Sequence, residues 1–235
     1  MKVKIIANPK KSWARRVASE LKAVLAPKHS IVRKDAEVTI CIGGDGTILY
    51  ANHKGRIEGA ILGIGGDKSY ICQIHHRNWR LFLLKLLDDH HREKIMTLTC
   101  KVAGKKFHVM NDVVIHATRY RVAEMDVTAG GDVHSFEGDG MIVSSAIGSA
   151  AYAYSAGGAK FKPTERKIAV VPICAYKRAF LPEVLNENGK VSIKAGADCA
   201  FIIDGIFIRN LKSGEIVNVE KGSDMIFFSG VGKND

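Results

Sequence analysis

No stretch of this sequence approaches the roughly 20 consecutive apolar residues that cross a bilayer, although 46% of its 235 residues are hydrophobic. The opening MKVKIIANPKK lacks the long apolar middle and small-residue cleavage site of a signal peptide. The expectation is a soluble, cytoplasmic protein with no membrane partner. Cysteine is sparse too. Cys41, Cys72, Cys100, Cys174 and Cys199 are odd in number, far apart and contain no C-x-x-C pair. That pattern argues against a disulfide framework or a zinc knuckle and predicts buried, reduced thiols. Blocks of like charge are missing as well. The net charge of +11 is spread along the chain, so most basic residues read as solvated surface. Such a field attracts polyanions without choosing among nucleotides, polyphosphate, nucleic acid and anionic lipid. The pairs His75–His76 and His90–His91 make poor chelates, because adjacent side chains diverge on a helix or a strand.

What is present is an ordered alternation. VKIIAN reads as a strand that stops at Asn8 and Pro9. SWARRVASELKAVLA follows with Trp13, Val17, Leu21 and Val24 three or four apart, a helical spacing, with Ser12 as its N-cap. EVTICIGG and GAILGIGG are strands closed by glycines. GTILYANHKG begins like a helix, and NWRLFLLKLLDDHH is amphipathic. Strands alternating with helices at this spacing imply βαβ units and a parallel sheet, with ligands beyond the carboxyl ends of the strands. The character changes near residue 95. From there the chain reads as short strands split by glycine turns, including KIAVVPIC, KVSIKAG, CAFIIDGIFIRNL, EIVNVEKG and SDMIFFSGVG, with one helix-sized segment at IGSAAYAYSAGG. The fold class expected is an α/β N-terminal domain with a parallel sheet and a β-rich C-terminal domain. The first covers residues 1–95 and the second begins at residue 96.

Two glycine-rich segments carry chemistry. In CIGGDGTILY, Gly43, Gly44 and Gly46 let backbone amides approach a phosphate, and Thr47 opens the next helix. Asp45 would repel phosphate unless it orients a hydroxyl nucleophile, receives its proton late or helps hold Mg²⁺. A plain Asp-Gly turn is the competing reading. In GDGMIVSSAIGSAAYAYSAGG, small residues permit close backbone approach. Tyr152 offers an aromatic face, and Ser155 a hydroxyl one helical turn away. A close-packed small-residue helix explains this segment equally well. Asn111 and Asp112 could read an adenine edge and a ribose diol, or could simply form a turn.

Taken together, GGDGT near residue 45, ND at 111–112 and GDG-x7-GS-x-AY-x2-SAGG from 138 to 158 resemble the NAD kinases. NPK at 8–10, VVPIC at 170–174 and DG at 204–205 extend the match. GGDGT alone is shared with phosphofructokinases and lipid kinases; the long segment ending in SAGG is more specific. The resemblance implies a dinucleotide-binding domain over 96–218 and a last strand, within 219–235, returning to the first domain. It implies phosphoryl transfer from ATP or inorganic polyphosphate to the 2′-hydroxyl of the adenosine ribose of NAD, assisted by a divalent metal, Mg²⁺. It makes Asp45 the catalytic residue and residues 43, 44, 46 and 47 the phosphate loop. Substrate binding falls to Asp45, Gly46, Asn111, Asp112, Asp139, Ala150, Ala151, Tyr152 and Ser155. It also implies a homodimer or homotetramer, in which Asp139 can reach a dinucleotide held by a neighbouring subunit.

The sequence departs from the family at several points. Ala150 lacks a hydroxyl often aimed at the nucleotide, a loss of about 0.5–1.5 kcal/mol. Glu137 stands where a basic or neutral polar residue is common, Ile206 replaces a frequent Gln, and GIGGDKSYI replaces G-x-N-x-G-x-x-G-F-L. These departures bear on donor preference and affinity more than on reaction type. Ala150 and Glu137 also motivate a non-catalytic NAD sensor as an alternative, and GGDGT alone would fit a kinase for another alcohol, such as a lipid. The charge permits nucleic-acid binding, but no recognisable module for it is present.

Overall fold

A computed structural model describes residues 1–89, 91–118 and 121–232. Two units separate by their internal contacts: Met1–Ile95 with Met225–Asp235, and Met96–Asp224. In the first unit the sequence alternation becomes β1 (Lys2–Ala7), α1 (Ser12–Leu25), β2 (Ser30–Ile31), β3 (Val38–Ile42), α2 (Asp45–His53), β4 (Ala60–Gly65), β5 (Ile74–His75) and α3 (Trp79–Asp88). The pairings β2–β1–β3–β4–β5 are all parallel. β3 is buried at every position, as a parallel strand covered on both faces must be. α1 buries Ala14, Val17, Ala18, Leu21 and Leu25. Together with Trp79, Leu83 and Leu87 of α3 they form one core with Val3, Ile40 and Leu62. Ser12 is the first residue of α1 rather than its cap: Lys11 takes the cap position and no side chain caps the helix.

The chain passes into the second unit along β6 (Arg92–Val102) and continues through β7 (Lys105–Val109), β8 (Asp112–Ala117), β9 (Ala123–Ala129), β10 (Asp132–Gly138) and β11 (Gly140–Ser145). After the short helix α4 (Tyr152–Ser155) come β12 (Lys167–Ile173), β13 (Glu183–Asn186), β14 (Val191–Ala195), β15 (Cys199–Ile203), β16 (Ile206–Leu211) and β17 (Ile216–Phe228). One antiparallel sheet runs β13-β12-β11-β8-β15-β16; β10, β9, β14 and the start of β17 belong to the other, where β6 pairs with β17 and β7. Val127, Ile193 and Val217 of the latter share a core with Val113, Val143 and Phe201 of the former. The opposite face of the six-stranded sheet is covered too, by Ala146, Ala153 and Phe161 over Val114, Ile142 and Val171. Burial on both faces explains why VVI and MIV do not alternate with polar residues.

Four further sequence expectations change. The helix expected over IGSAAYAYSAGG is two short pieces, a 3-10 turn Gly148–Ala150 and α4, broken at Ala151 where φ is −98° and ψ −122°. EIVNVEKG and SDMIFFSGVG are one strand, because Gly222 does not break it. A Cβ there would sit 2.8 Å from the Leu98 carbonyl, so the glycine admits close strand approach. Four cysteines are buried and reduced, whereas Cys174 is exposed. The rings of His75 and His76 do not diverge; their centroids are 4.7 Å apart. His90 lies outside the described residues. Near its end β17 pairs in parallel with β4 through Phe227 and Ile61, inside the first unit.

Candidate functional site

In the first unit the glycine turn closes β3. Gly43 and Gly44 have φ of 146° and 96°, and a Cβ on Gly43 would lie 2.4 Å from Thr47 Oγ1 and 2.5 Å from Asn8 Cβ. Only glycine fits there, and the chain enters α2 at Asp45 with the carboxylate in the first helical turn. That placement is favoured by the helix dipole. Asp45 is held on one side by consecutive amides: Oδ2 accepts from Tyr70 N at 2.6 Å, and Oδ1 from Ile71 N at 3.0 Å and Cys72 N at 3.3 Å. The Cys72 thiol lies within hydrogen-bond reach as well, and the carboxylate is half-buried and lines a cavity. The supporting loop is itself a second Gly-Gly-Asp turn at the end of β4, where Gly66 N donates to Ser69 Oγ at 3.1 Å.

These turns line a cavity of about 530 Å³ with Asn8, Lys11, Trp13, Lys68 and His76. Lys11 Nζ donates to the Gly43 carbonyl at 2.7 Å, which holds an ammonium group at the turn. Its charge also lies 5.6 Å from the Trp13 ring centre, and Trp13 stacks on His76 at 4.3 Å. His75 Nε2 pairs with Asp67 Oδ1 at 2.9 Å. Partial burial, then the neighbouring His75 and Arg77, hold the His76 imidazole below its ordinary pKa. Glycine amides and ammonium groups beside one poised carboxylate can bind phosphates and steady a hydroxyl nucleophile.

In the second unit the counterpart is built at the start of β8. The hairpin between β15 and β16 turns at Asp204, with φ of 51°. Its carboxylate accepts three consecutive amides: Oδ2 from Met110 N at 3.0 Å, Oδ1 from Asn111 N at 2.6 Å and Asp112 N at 3.2 Å. Ser145 Oγ donates to the Met110 carbonyl at 2.6 Å and Ser144 Oγ to the Asn111 carbonyl at 3.1 Å. Gly148 packs so closely on this segment that a Cβ would fall 2.3 Å from the Asn111 carbonyl oxygen. The backbone of Asn111 is thus fully engaged, while its side-chain oxygen Oδ1 is buried without a hydrogen-bond partner. Beside it Asp112 is only 5% exposed. Burial, reinforced by the Asp204 charge, pushes its carboxyl up to about 7.

The other expected residues of this unit fall into the same neighbourhood in part. Tyr152 is 41% exposed. Its phenol is raised first by burial, then by Cys174, Asp139 and Asp112, which places these groups within electrostatic reach of it. Asp139 interrupts the run from β10 to β11; its amide donates to Ile173 O at 2.9 Å and its carbonyl accepts from Ala117 N at 2.7 Å. Ala151 is exposed and Ala150 half-buried. Ser155 is exposed, but its hydroxyl donates to Ala151 O at 3.3 Å within α4. Sequence reasoning gave no role to Lys11, Trp13, Lys68 or His76, nor to the exposed Cys174. Only Lys11 left a usable signal, in the basic NPKK directly after β1. Asp204 entered as a matching DG without the amide clamp that explains it.

Three comparisons bear on this geometry. Residues 110–228 match the family model of the ATP-NAD kinase C-terminal domain. The NAD kinase of Clostridium perfringens is 30% identical over 201 residues, covering 80% of this chain and 72% of that protein. Among solved structures, the NAD kinase of Archaeoglobus fulgidus in complex with ATP superposes with a TM-score of 0.82 at 20% identity, over 98% of this chain and 94% of that one. Yeast NADH kinase complexed with NADH gives 0.89 at 18%, over 100% and 84%.

Proposed function

This chain belongs to the NAD kinase family, and from that membership we propose that it moves the terminal phosphoryl group of ATP or inorganic polyphosphate onto the 2′-hydroxyl of the adenosine ribose of NAD, forming NADP. Asn111 and Asp112 hold the nucleoside: the amide oxygen accepts from the adenine amino group, and the carboxylate accepts from a ribose hydroxyl. Tyr152 supplies a stacking face, and Asp139, Ala150, Ala151 and Ser155 border it. Residues 43, 44, 46 and 47, with Lys11 and Lys68, receive the donor phosphates. Asp45 orients the attacking hydroxyl and accepts its proton late, as a weak base suits a loose transition state. The oxygen attacks phosphorus as the bond to the leaving phosphate breaks, and the leaving group departs with its electron pair.

The observation that carries this reading is the buried, unpartnered Asn111 Oδ1 beside buried Asp112. A buried acceptor left unmade costs about 1–3 kcal/mol, a cost that a bound adenine amino group relieves. Mg²⁺ fits as a companion of the donor phosphates rather than a resident ion. Among the described residues no three His, Cys, Asp or Glu side chains converge, and Mg²⁺ ordinarily binds through substrate phosphates with few protein ligands. Bound there it neutralises charge on the transferring group. Incubation with NAD, Mg²⁺ and either donor, followed by an NADP-specific dehydrogenase, tests the reading. NADP is expected from at least one donor, and none from either overturns it.

A further inference from the structure

A second cavity, of about 490 Å³, shares Asn8, Gly46 and Thr47 with the anion pocket of the first unit. The size suits a small-molecule subsite, which typically spans about 300–1,000 Å³. Besides Lys10, the rest of its lining differs in kind: Ile6, Ala7, Pro9, Tyr50, Ala51 and Arg56. The cause is the periodicity of α2. Gly46 and Tyr50, and likewise Thr47 and Ala51, are four apart and share a face, so the helix that begins at the phosphate turn presents an aromatic ring one turn later. Tyr50 is 51% exposed, with Lys54 Nζ 5.7 Å from its ring centre, whereas Ala51 forms part of the buried floor. An aliphatic floor, a half-free aromatic ring and a guanidinium are what a nucleobase stacks on. An inorganic phosphate chain has no face to offer Tyr50.

We propose that this second cavity receives the nucleoside of a nucleoside triphosphate donor, and that Tyr50 is the residue distinguishing such a donor from inorganic polyphosphate. The proposal rests on the phosphoryl-transfer reading above, and the two fail separately. Binding of Mg–ATP and of Mg–tripolyphosphate to the full chain is measured by calorimetry for the wild type, Tyr50→Ala and Tyr50→Phe. Base stacking on an aromatic side chain is lost on truncation to alanine at a cost of about tenfold in affinity. The wild type is expected to bind ATP more tightly than tripolyphosphate. Tyr50→Ala weakens ATP about tenfold and leaves tripolyphosphate within twofold, and Tyr50→Phe keeps both. Because Tyr50 is half in solvent, the alanine variant folds. Equal weakening of both ligands, or an ATP affinity indifferent to Tyr50→Ala, overturns the nucleoside pocket. Absence of NADP formation counts against the reaction instead, since the affinity ratio is read without turnover.

Discussion

Asp45 and Asp204 are the same device used in two units for different ends. Each carboxylate accepts three consecutive backbone amides, 70–72 in the first case and 110–112 in the second. Asp45 is half-buried and lines a cavity; Asp204 is 6% exposed. Solvent therefore reaches the first carboxylate more readily than the second. On the proposed reaction the first clamp holds a carboxylate in place for use, while the second fixes the segment that carries Asn111 and Asp112. An amide-caged aspartate is therefore functional or structural according to what its free side faces.

The sharpest break in that comparison is Asp45→Asn. The shape is kept and one acceptor oxygen becomes a donor. NADP formation is expected to fall by about 10³-fold or more, the upper part of the range for a positioned proton acceptor, while NAD binding measured by calorimetry persists. Full activity in this variant would end the assigned role. Its stability loss in urea unfolding should stay near about 1 kcal/mol, because the half-buried side chain can turn its new NH₂ toward the cavity.

Asp204→Asn reverses the order of effects. The introduced NH₂ faces a buried N–H with no water to intervene, a cost of about 2–3 kcal/mol in unfolding free energy. NAD affinity should drop with it, because residues 110–112 lose their anchor. If Asp204→Asn and Asp45→Asn destabilise equally, burial does not separate the two clamps.

Asp112 sharpens the contrast through pH. Its carboxyl rises from 3.8 to about 7 in the folded chain, so between those values the folded state binds more protons than the unfolded. Stability therefore declines as pH rises from about 4 to 7 and stays at the lower level above. The ceiling on this penalty is about 4 kcal/mol, at 1.36 kcal/mol per pH unit. Asp112→Asn removes the ionisable group. It should be more stable than wild type in thermal unfolding at pH 8 and equal to it at pH 4, while binding NAD more weakly at pH 8. A variant with the wild-type pH slope would show that Asp112 does not set it.

Much of this was legible in the residues. The parallel sheet followed from the glycine-closed apolar runs that became β3 and β4. Asp45 stood out because a carboxylate in a phosphate turn needs another job. The clamp was not legible: Asp204 lies 92 residues from Asp112, and spacing along a chain says nothing about which hairpin tip meets which strand. Nor was the break at Ala151, since Gly148 is drawn onto the Asn111 backbone by packing that overrides helical spacing. His75 and His76 were set aside as divergent neighbours, a rule that holds on regular elements. These residues sit where β5 ends, and Trp13 from α1 draws the second ring flat against itself.

That stacking leads to the smallest expected effect. His76 faces Trp13, Lys11 and Arg16 from the first helix and its approach, with His75, Asp67 and Arg77 around it. Burial, then the neighbouring His75 and Arg77, hold its pKa below the ordinary imidazole value, which favours the neutral ring in the free protein. A polyphosphate chain entering the cavity reverses the local potential and raises that pKa, so binding should draw in a proton and affinity should increase as pH falls. Calorimetry of Mg–ATP in two buffers of different ionisation enthalpy reads the proton directly. Uptake of a fraction of a proton is expected in the wild type and its loss in His76→Gln, with affinity at pH 8 changed by less than about threefold, the scale of one surface charge. Undiminished uptake in His76→Gln would move the titration to another group and leave Lys11 and Lys68 as fixed charges in a pocket without a proton switch.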